Sequence, residues 1–319
     1  MIPTRLTDAD RLQPHTTIAT IGMFDGFHTG HRHIAEELYA RGYQNDRQPL
    51  LVTFDQHPQF VLGSKAGDPF RTIQTNRQRL DDIQSFFSRL TDPVFLLVLP
   101  FTKQFARQTA REFLTFLRDK YGVDILLMGY NQHFGSDGKN INFQELGHEL
   151  GIRVCIEKEE TENNEKVSSS IIRQLIRNGD ITKTNELMMS TYTIEGVVVH
   201  GFGNGRKLGF PTANVGHLDP QQILPRFGVY AVQVEIPEYD DEIYEGMANV
   251  GVRPTLGGTT DVSVEVNIFD FDQDIYGKKI TVSFFEFLRE ETQFDNLEQL
   301  SRQLSADKEN ARQWFTLPF

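Results

Sequence analysis

The hydrophobic period of this chain changes once, and that change limits what it can fold into. From 16 to 160, short apolar runs alternate with helical patterns. The runs at Ile18–Ile21, Leu50–Phe54, Val94–Leu99, Ile125–Met128 and Val154–Ile156 read as buried strands. Between them, Leu80, Ile83, Phe87 and Leu90 recur at helical spacing after a cap candidate at Thr75. Ala110, Phe113, Leu114, Leu117 and Tyr121 do the same after Thr109. A further helical pattern opens near His31, with Ile34, Ala35 and Leu38. Strands alternating with helices predict a doubly wound parallel sheet. After Met189 the runs alternate residue by residue, at Ile194–Val199, Val229–Ile236, Val262–Ile268 and Ile280–Phe287, between Gly and Pro turns. That texture predicts a small antiparallel β-barrel, closed by a helix from about Asn296 to Trp314. A chain of 319 residues suits two such cores, and the boundary is expected near 183–192, giving domains of 1–186 and 187–319.

The formal net charge of −12 disfavours a protein that wraps nucleic acid, because backbone binding needs a basic face. It leaves room for a nucleotide, whose charge a metal, a helix end and a few cations can meet. Cys155 is the only cysteine, so no disulfide forms within the chain, and its apolar neighbours Val154 and Ile156 suggest a core residue in a reducing compartment. The sequence shows neither an apolar signal region at its N-terminus nor a stretch long enough to span a bilayer. The expectation is a soluble cytoplasmic protein without nucleic-acid or membrane partners.

Parallel sheets bind ligands at the carboxyl ends of their strands, so the residues after each run carry the functional information. After the first comes Gly22-Met23-Phe24-Asp25-Gly26-Phe27-His28-Thr29-Gly30-His31. A strand, a glycine turn and a helix start gather backbone N–H groups and a positive helix end around a phosphate. His28 and His31, three apart, are positioned to reach one bound anion. Thr53-Phe54-Asp55-Gln56-His57-Pro58 follows the second run, and Gly129-Tyr130-Asn131-Gln132-His133-Phe134-Gly135 follows the fourth. The polar run Thr161–Lys166 reads as a mobile loop leading into Val167-Ser168-Ser169-Ser170-Ile171-Ile172-Arg173, where three serines open a helix and Arg173 lies one turn in.

The first of these stretches resembles the His-x-Gly-His signature of the nucleotidyltransferase superfamily, in the G-x-F-D-G-x-H-x-G-H form of bacterial FAD synthetases. The resemblance implies that Gly22, Phe24 and Gly30 bind nucleotide phosphate and that His28 and His31 are catalytic. The next two segments are similar to the family's T-F-x-P-H-P and G-x-[DN]-F-x-F-G, implying flavin contacts from His57, Pro58, Asn131 and Phe134. Gln56, Gln132 and His133 depart from those patterns and bear on how the flavin ring is gripped. The serine segment resembles I-S-S-T-x-I-R, with Val167 and Ser170 as mild changes. That implies Ser168, Ser169 and Arg173 hold the departing phosphates.

In the second half, Gly201-Phe202-Gly203-Asn204-Gly205-Arg206-Lys207-Leu208-Gly209-Phe210-Pro211-Thr212-Ala213-Asn214 is neither a Walker A loop nor a Rossmann fingerprint, because it lacks Gly-Lys-Ser/Thr and leads into Pro. It closely resembles the riboflavin kinase pattern G-x-G-R-G-x-x-L-G-[FY]-P-T-A-N, with Asn204 where Arg is usual. The resemblance implies phosphate contacts from Gly201, Gly203, Gly205, Lys207, Gly209 and Pro211, and Mg²⁺ ligation by Thr212 and Asn214, oxygen donors suited to a hard cation. Downstream, Gly246–Thr255 and Val264–Phe271 also resemble that family. Strand alternation puts Val262, Val264, Val266 and Ile268 on one face and Ser263, Glu265 and Asn267 on the other. The family pattern V-E-V-H makes Glu265 the candidate base; Asn267 stands where His is usual.

Nearly the whole chain thus resembles the bacterial bifunctional riboflavin kinases/FAD synthetases. That implies phosphorylation of riboflavin to FMN in the barrel and adenylylation of FMN to FAD, with release of pyrophosphate, in the first domain. Riboflavin, FMN and ATP would be substrates, with Mg²⁺. Two other readings remain: a nucleotidyltransferase with a non-flavin acceptor, and a flavin-binding regulator whose catalysis has decayed.

Overall fold

The computed structural model describes residues 4–7, 10–63, 69–130, 132–157, 161–162, 165–201, 205, 208–239, 241–254 and 260–316. The chain divides into two compact units, Met1–Ser169 and Ser170–Phe319.

The first unit is built on a six-stranded sheet whose pairings are all parallel. Its strands are β1 (Thr4–Leu6), β2 (Thr17–Ile21), β3 (Gln48–Phe54), β4 (Phe95–Leu99), β5 (Val123–Met128) and β6 (Arg153–Ile156), in the order β1-β4-β3-β2-β5-β6. Helices α1 (Thr29–Gln44), α2 (Pro58–Leu62), α3 (Asn76–Ser88), α4 (Ala110–Tyr121) and α5 (Phe143–Leu150) connect them. Strand alternation sorts the apolar residues into two cores. Ala19, Ile21 and Leu50 pack with Phe113 and Leu114 of α4 and Phe143 of α5. Ile18, Leu51 and Leu96 pack with Leu38 of α1 and Ile83 of α3. The expected caps form: Thr75 with Gln78, and Thr109 with Glu112, each make a reciprocal capping box. From β2 the chain winds outward through β3 and β4 on one side and β5 and β6 on the other, so the order reverses between β2 and β5. A doubly wound sheet opens its binding crevice there. Cys155 sits half-buried on edge strand β6 rather than inside the core. The segment read as a mobile loop pairs its ends, β7 (Thr161–Glu162) with β8 (Glu165–Lys166), as a short antiparallel ladder.

The second unit starts with α6 (Ser169–Asn178), which crosses the division, and α7 (Ile181–Met188). Both pack on the barrel: the Ile176 carbonyl accepts from Arg226 N–H (3.2 Å) and the Phe285 carbonyl from the Thr182 hydroxyl (3.1 Å). β9 (Tyr192–Val199), β10 (Ala213–Gly216), β11 (Gly228–Glu235), β12 (Ile243–Pro254), β13 (Thr260–Ile268) and β14 (Lys279–Arg289) close an antiparallel barrel in the order β10-β13-β12-β11-β14-β9. α8 (Leu297–Thr316) is anchored to β14 by the bidentate Arg289–Asp307 pair, in which Asp307 is wholly buried. No helix among the described residues is long and apolar enough to cross a membrane.

Candidate active sites

In the first unit the chain leaves the fully buried β2 at Ile21 and enters α1 at Thr29, with His28 as the N-cap residue. The turn between is tight. Gly26 has φ +80°, and a Cβ there would lie 2.7 Å from Ile73 Cδ1, so any side chain would be strained and would have to displace Ile73. Phe24 and Phe27 also hold positive φ, at 55° and 29°, a strained state for bulky residues that their burial enforces. The Phe24 ring lies under Gly22 and meets the His31 ring edge-on at 5.3 Å. His28 and His31 stack with centroids 3.7 Å apart, and Gly30 faces the His28 ring. The two imidazoles therefore form one surface at the positive end of a sixteen-residue helix. Ser169 Oγ donates to the Asp25 carbonyl (2.8 Å), bringing the Ser168–Ser169 segment to this turn. Arg173 lies one helical turn further along α6, with its side chain buried.

Two residues that sequence reasoning passed over hold this turn in place. The buried Asp25 carboxylate accepts from the backbone N–H groups of Ile73 (3.0 Å) and Gln74 (3.4 Å). The Arg79 guanidinium, almost wholly buried, donates to the Met23 carbonyl (2.8 Å), to Thr53 Oγ1 (2.6 Å) and to the Phe54 carbonyl (2.5 Å). Burial pushes its pKa down to about 10, against the pull of Asp25 and Asp55. In sequence Arg79 is one more polar residue on an amphipathic helix. Asp25 lies inside the glycine motif, which was the available signal.

The β3 and β5 loops flank the same end of the sheet. His57 caps α2, its Nδ1 accepting from Gln59 N–H (3.2 Å), with Pro58 in the first turn. The His57 ring stacks on Phe70 at 4.3 Å, leaving a half-buried aromatic face. Gln56 Nε2 donates to the Phe101 carbonyl (3.0 Å). Phe134 packs against Phe143 (4.6 Å) and Phe113 (5.8 Å) beside the core. Gln132 Nε2 donates to the Ile21 carbonyl, and its Oε1 accepts from Gly129 N–H (3.0 Å). Asn131 lies outside the described residues.

In the barrel, the register aligns Asn214 of β10, Glu265 of β13 and Asn249 of β12 as one polar row. Thr212, just before β10, donates from Oγ1 to Glu265 Oε2 (3.3 Å). The Asn214 amide lies against Gly201, where a Cβ would come within 2.3 Å of it. The Gly205 carbonyl accepts from Phe210 N–H (2.9 Å), and Gly209 takes φ +81°. Gly203, Asn204 and Lys207 are outside the described residues. Asn267 is buried although it faces the polar side of β13, and its Nδ2 donates to the Pro211 carbonyl (2.7 Å). Thr212 lines two hollows. One, of about 300 Å³, is lined by Phe210, Val229, Met247, Phe294 and Leu304, with Glu265, Arg289 and Glu291 on its wall. The other, of about 290 Å³, lies among Val198, Pro211, Val266, Ile268 and the 271–276 loop.

Two family models match the chain in turn: FAD synthetase over residues 10–171 and riboflavin kinase over 188–315. The bifunctional riboflavin kinase/FMN adenylyltransferase of Bacillus subtilis is 32% identical over 304 residues, covering 94% of this chain and 93% of its own. The chain belongs to the bifunctional riboflavin kinase/FMN adenylyltransferase family. The Escherichia coli K12 protein of that name is 31% identical over 94% of this chain and 93% of its own. A crystal structure described as a macrolide-efflux protein from Streptococcus pneumoniae superposes with a TM-score of 0.82 at 31% identity, covering 98% of this chain and 100% of that one. Within the bifunctional family, the departures at Gln56, Gln132 and Asn267 each prove to be side-chain amides that hold a backbone carbonyl.

Proposed function

We propose that the protein phosphorylates riboflavin to FMN in its barrel and adenylylates FMN to FAD in its first unit, using ATP for both. By activity we assign residues 1–186 to the adenylyltransferase and 187–319 to the kinase, although α6 and α7, which begin before residue 187, pack on the barrel of the second compact unit. The observation that carries this reading is the Thr212–Glu265 contact, in which Thr212 lines both hollows and Glu265 the apolar one. It gives a carboxylate on the wall of the apolar hollow, next to the residue that lines both.

In the kinase, the apolar hollow suits an isoalloxazine ring and the second hollow a nucleotide. Glu265 takes the proton of the ribityl 5′-hydroxyl as its oxygen bonds to the γ-phosphorus and the bond to the β-phosphate oxygen breaks. Such general-base help is typically worth ~10²–10⁴-fold. Gly201, Gly203, Gly205, Lys207, Gly209 and Pro211 hold the phosphates. Thr212 and Asn214, hard oxygen donors clustered beside Glu265, fit Mg²⁺. When bound, the ion screens phosphate charge and orients the γ-phosphoryl group.

In the first unit the nucleophile is the FMN phosphate, which carries roughly −1.5 to −2 charge at pH 7 and needs no base. The demand is to stabilise a crowded α-phosphate and departing pyrophosphate. Gly22, Phe24 and Gly30 shape the turn, His28 and His31 bind the α-phosphate, and Ser168, Ser169 and Arg173 receive the pyrophosphate. His57, Pro58, Asn131 and Phe134 contact the flavin. The same reading puts the enzyme in the cytoplasm, where ATP is available.

Incubation with riboflavin, ATP and Mg²⁺ followed by chromatography should yield FMN and then FAD. FMN alone would point to a non-flavin acceptor in the first unit, and no turnover to a binding protein. Chelation of Mg²⁺ should halt riboflavin phosphorylation.

A further inference from the structure

The two central strands separate unequally at the switch point. On one side β2 stays paired with β3 through Ile21 and Val52, and Gly22 N–H extends the ladder to the Val52 carbonyl (3.0 Å). On the other side its pairing with β5 ends at Thr20 and Leu127. Beyond that point the Ile21 carbonyl and the Gly129 N–H are bridged by the Gln132 side chain. Gly129 N–H donates to Oε1 (3.0 Å), and Nε2 donates to the Ile21 carbonyl. The Gln132 backbone N–H also donates to the Gly129 carbonyl (3.1 Å), fixing the side chain's own base. A primary carboxamide offers the same donor and acceptor as a peptide group. Gln132 therefore acts as an extra rung, one amide wide, between the ends of β2 and β5.

Everything from Gly22 to His31 hangs from Ile21. A rung at that carbonyl sets how far the phosphate turn stands from the β5 loop across the crevice. Where the family pattern carries Phe, this chain carries a residue whose two polar ends are both used on backbone. We propose that Gln132 is a positioning residue for adenylyl transfer, which places His28 and His31 against the α-phosphate rather than gripping the flavin ring. The proposal rests on the reading of the first unit as an FMN adenylyltransferase.

The test compares Gln132→Met, which keeps length and loses both bonds, with Gln132→Glu, which still accepts from Gly129 N–H but turns a carboxylate oxygen towards the Ile21 carbonyl. Steady-state adenylylation of FMN by the full chain is measured with FMN and ATP varied separately, alongside thermal melting. Misplacement of reacting groups by about 1 Å costs up to about 100-fold, so both variants should lose at least about tenfold in kcat. KM for FMN should stay within about twofold of wild type, and riboflavin phosphorylation should be unchanged. A raised KM for FMN at unchanged kcat would make Gln132 a flavin contact and overturn the proposal. So would wild-type kinetics, or a loss that follows a lowered melting temperature and disappears on cooling. If Gln132→Met does not fold, Gln132→Glu decides, and if neither folds the residue is structural and the proposal falls. A wild-type enzyme that makes FMN but cannot adenylylate it would instead overturn the functional reading, and this proposal with it.

Discussion

A proton has to leave the ribityl hydroxyl in one of the two reactions, whereas the other begins from an ionised phosphate. Glu265 is the base proposed for the first; it is half-buried on β13 with Thr212 Oγ1 3.3 Å from its carboxylate. Gln at this position keeps the size and can still accept from Thr212, but it cannot take a proton. Glu265→Gln should therefore lower kcat for riboflavin by about a hundredfold or more, the usual worth of a positioned base, with little change in riboflavin KM. Adenylylation of added FMN by the same variant should run at the wild-type rate, and near-normal kcat for riboflavin would make Glu265 a binding residue only. Asn267, two positions on, shows why its own replacement in the motif was hard to read from sequence. Its partner is the Pro211 carbonyl, fifty-six residues away, and alternation along β13 gives no hint of that contact.

Among the elements, the strands and helices with strong periodicity were legible, because burial on one or both faces writes itself into the residue pattern. The five apolar runs are β2 to β6, and the Thr75 and Thr109 caps open α3 and α4 as expected. β1, β10 and β12 were not legible. The first two are only three and four residues long, and β12 carries Gly246, Asn249 and Gly251 within its length. Strand order was also not legible, and with it went the Gln132 bridge and the Arg79 anchor, both of which join segments far apart in sequence. The texture change after Met189 marks where strands begin, but α6 and α7 precede it and pack on the barrel. Asn185 of α7 donates to the Phe284 carbonyl (2.8 Å) and accepts from Tyr192 N–H (2.7 Å). A fragment of 170–319 should therefore fold and phosphorylate riboflavin, whereas one starting at 187 should melt several degrees lower in a calorimeter. Equal melting temperatures would mean that the two helices add nothing to barrel stability. α8 offers a second element-scale test. Removing the Asp307 carboxylate leaves the Arg289 guanidinium without its partner beside the apolar hollow. Asp307→Ala should destabilise the barrel by about 3–5 kcal/mol in denaturant titrations, the usual cost of breaking a buried pair. A change under about 1 kcal/mol would show that Arg289 finds another partner, as exposed pairs allow.

At the scale of the whole molecule, each proposed chemistry is drawn mainly from its own unit, and a mixing experiment tests whether the two reactions are separable. His31 stacks on His28 at the α1 start, and nothing in the kinase mechanism uses it. His31→Ala should therefore make FMN from riboflavin at the wild-type rate and stop there. Glu265→Gln should do the reverse, making FAD only when FMN is supplied. Neither variant alone should convert riboflavin to FAD. Mixed together they should, because FMN released by the first is substrate for the second. FAD should appear after a lag while FMN accumulates, and the lag should shorten as the Glu265→Gln variant is added in excess. Chromatography of timed samples reads both species at once. If each variant performs its own half-reaction yet the mixture makes no FAD, FMN does not leave the enzyme that forms it, and two independently working sites are the wrong description. If His31→Ala loses both activities while folded, the histidine pair serves the barrel as well, and the division of labour between the units fails.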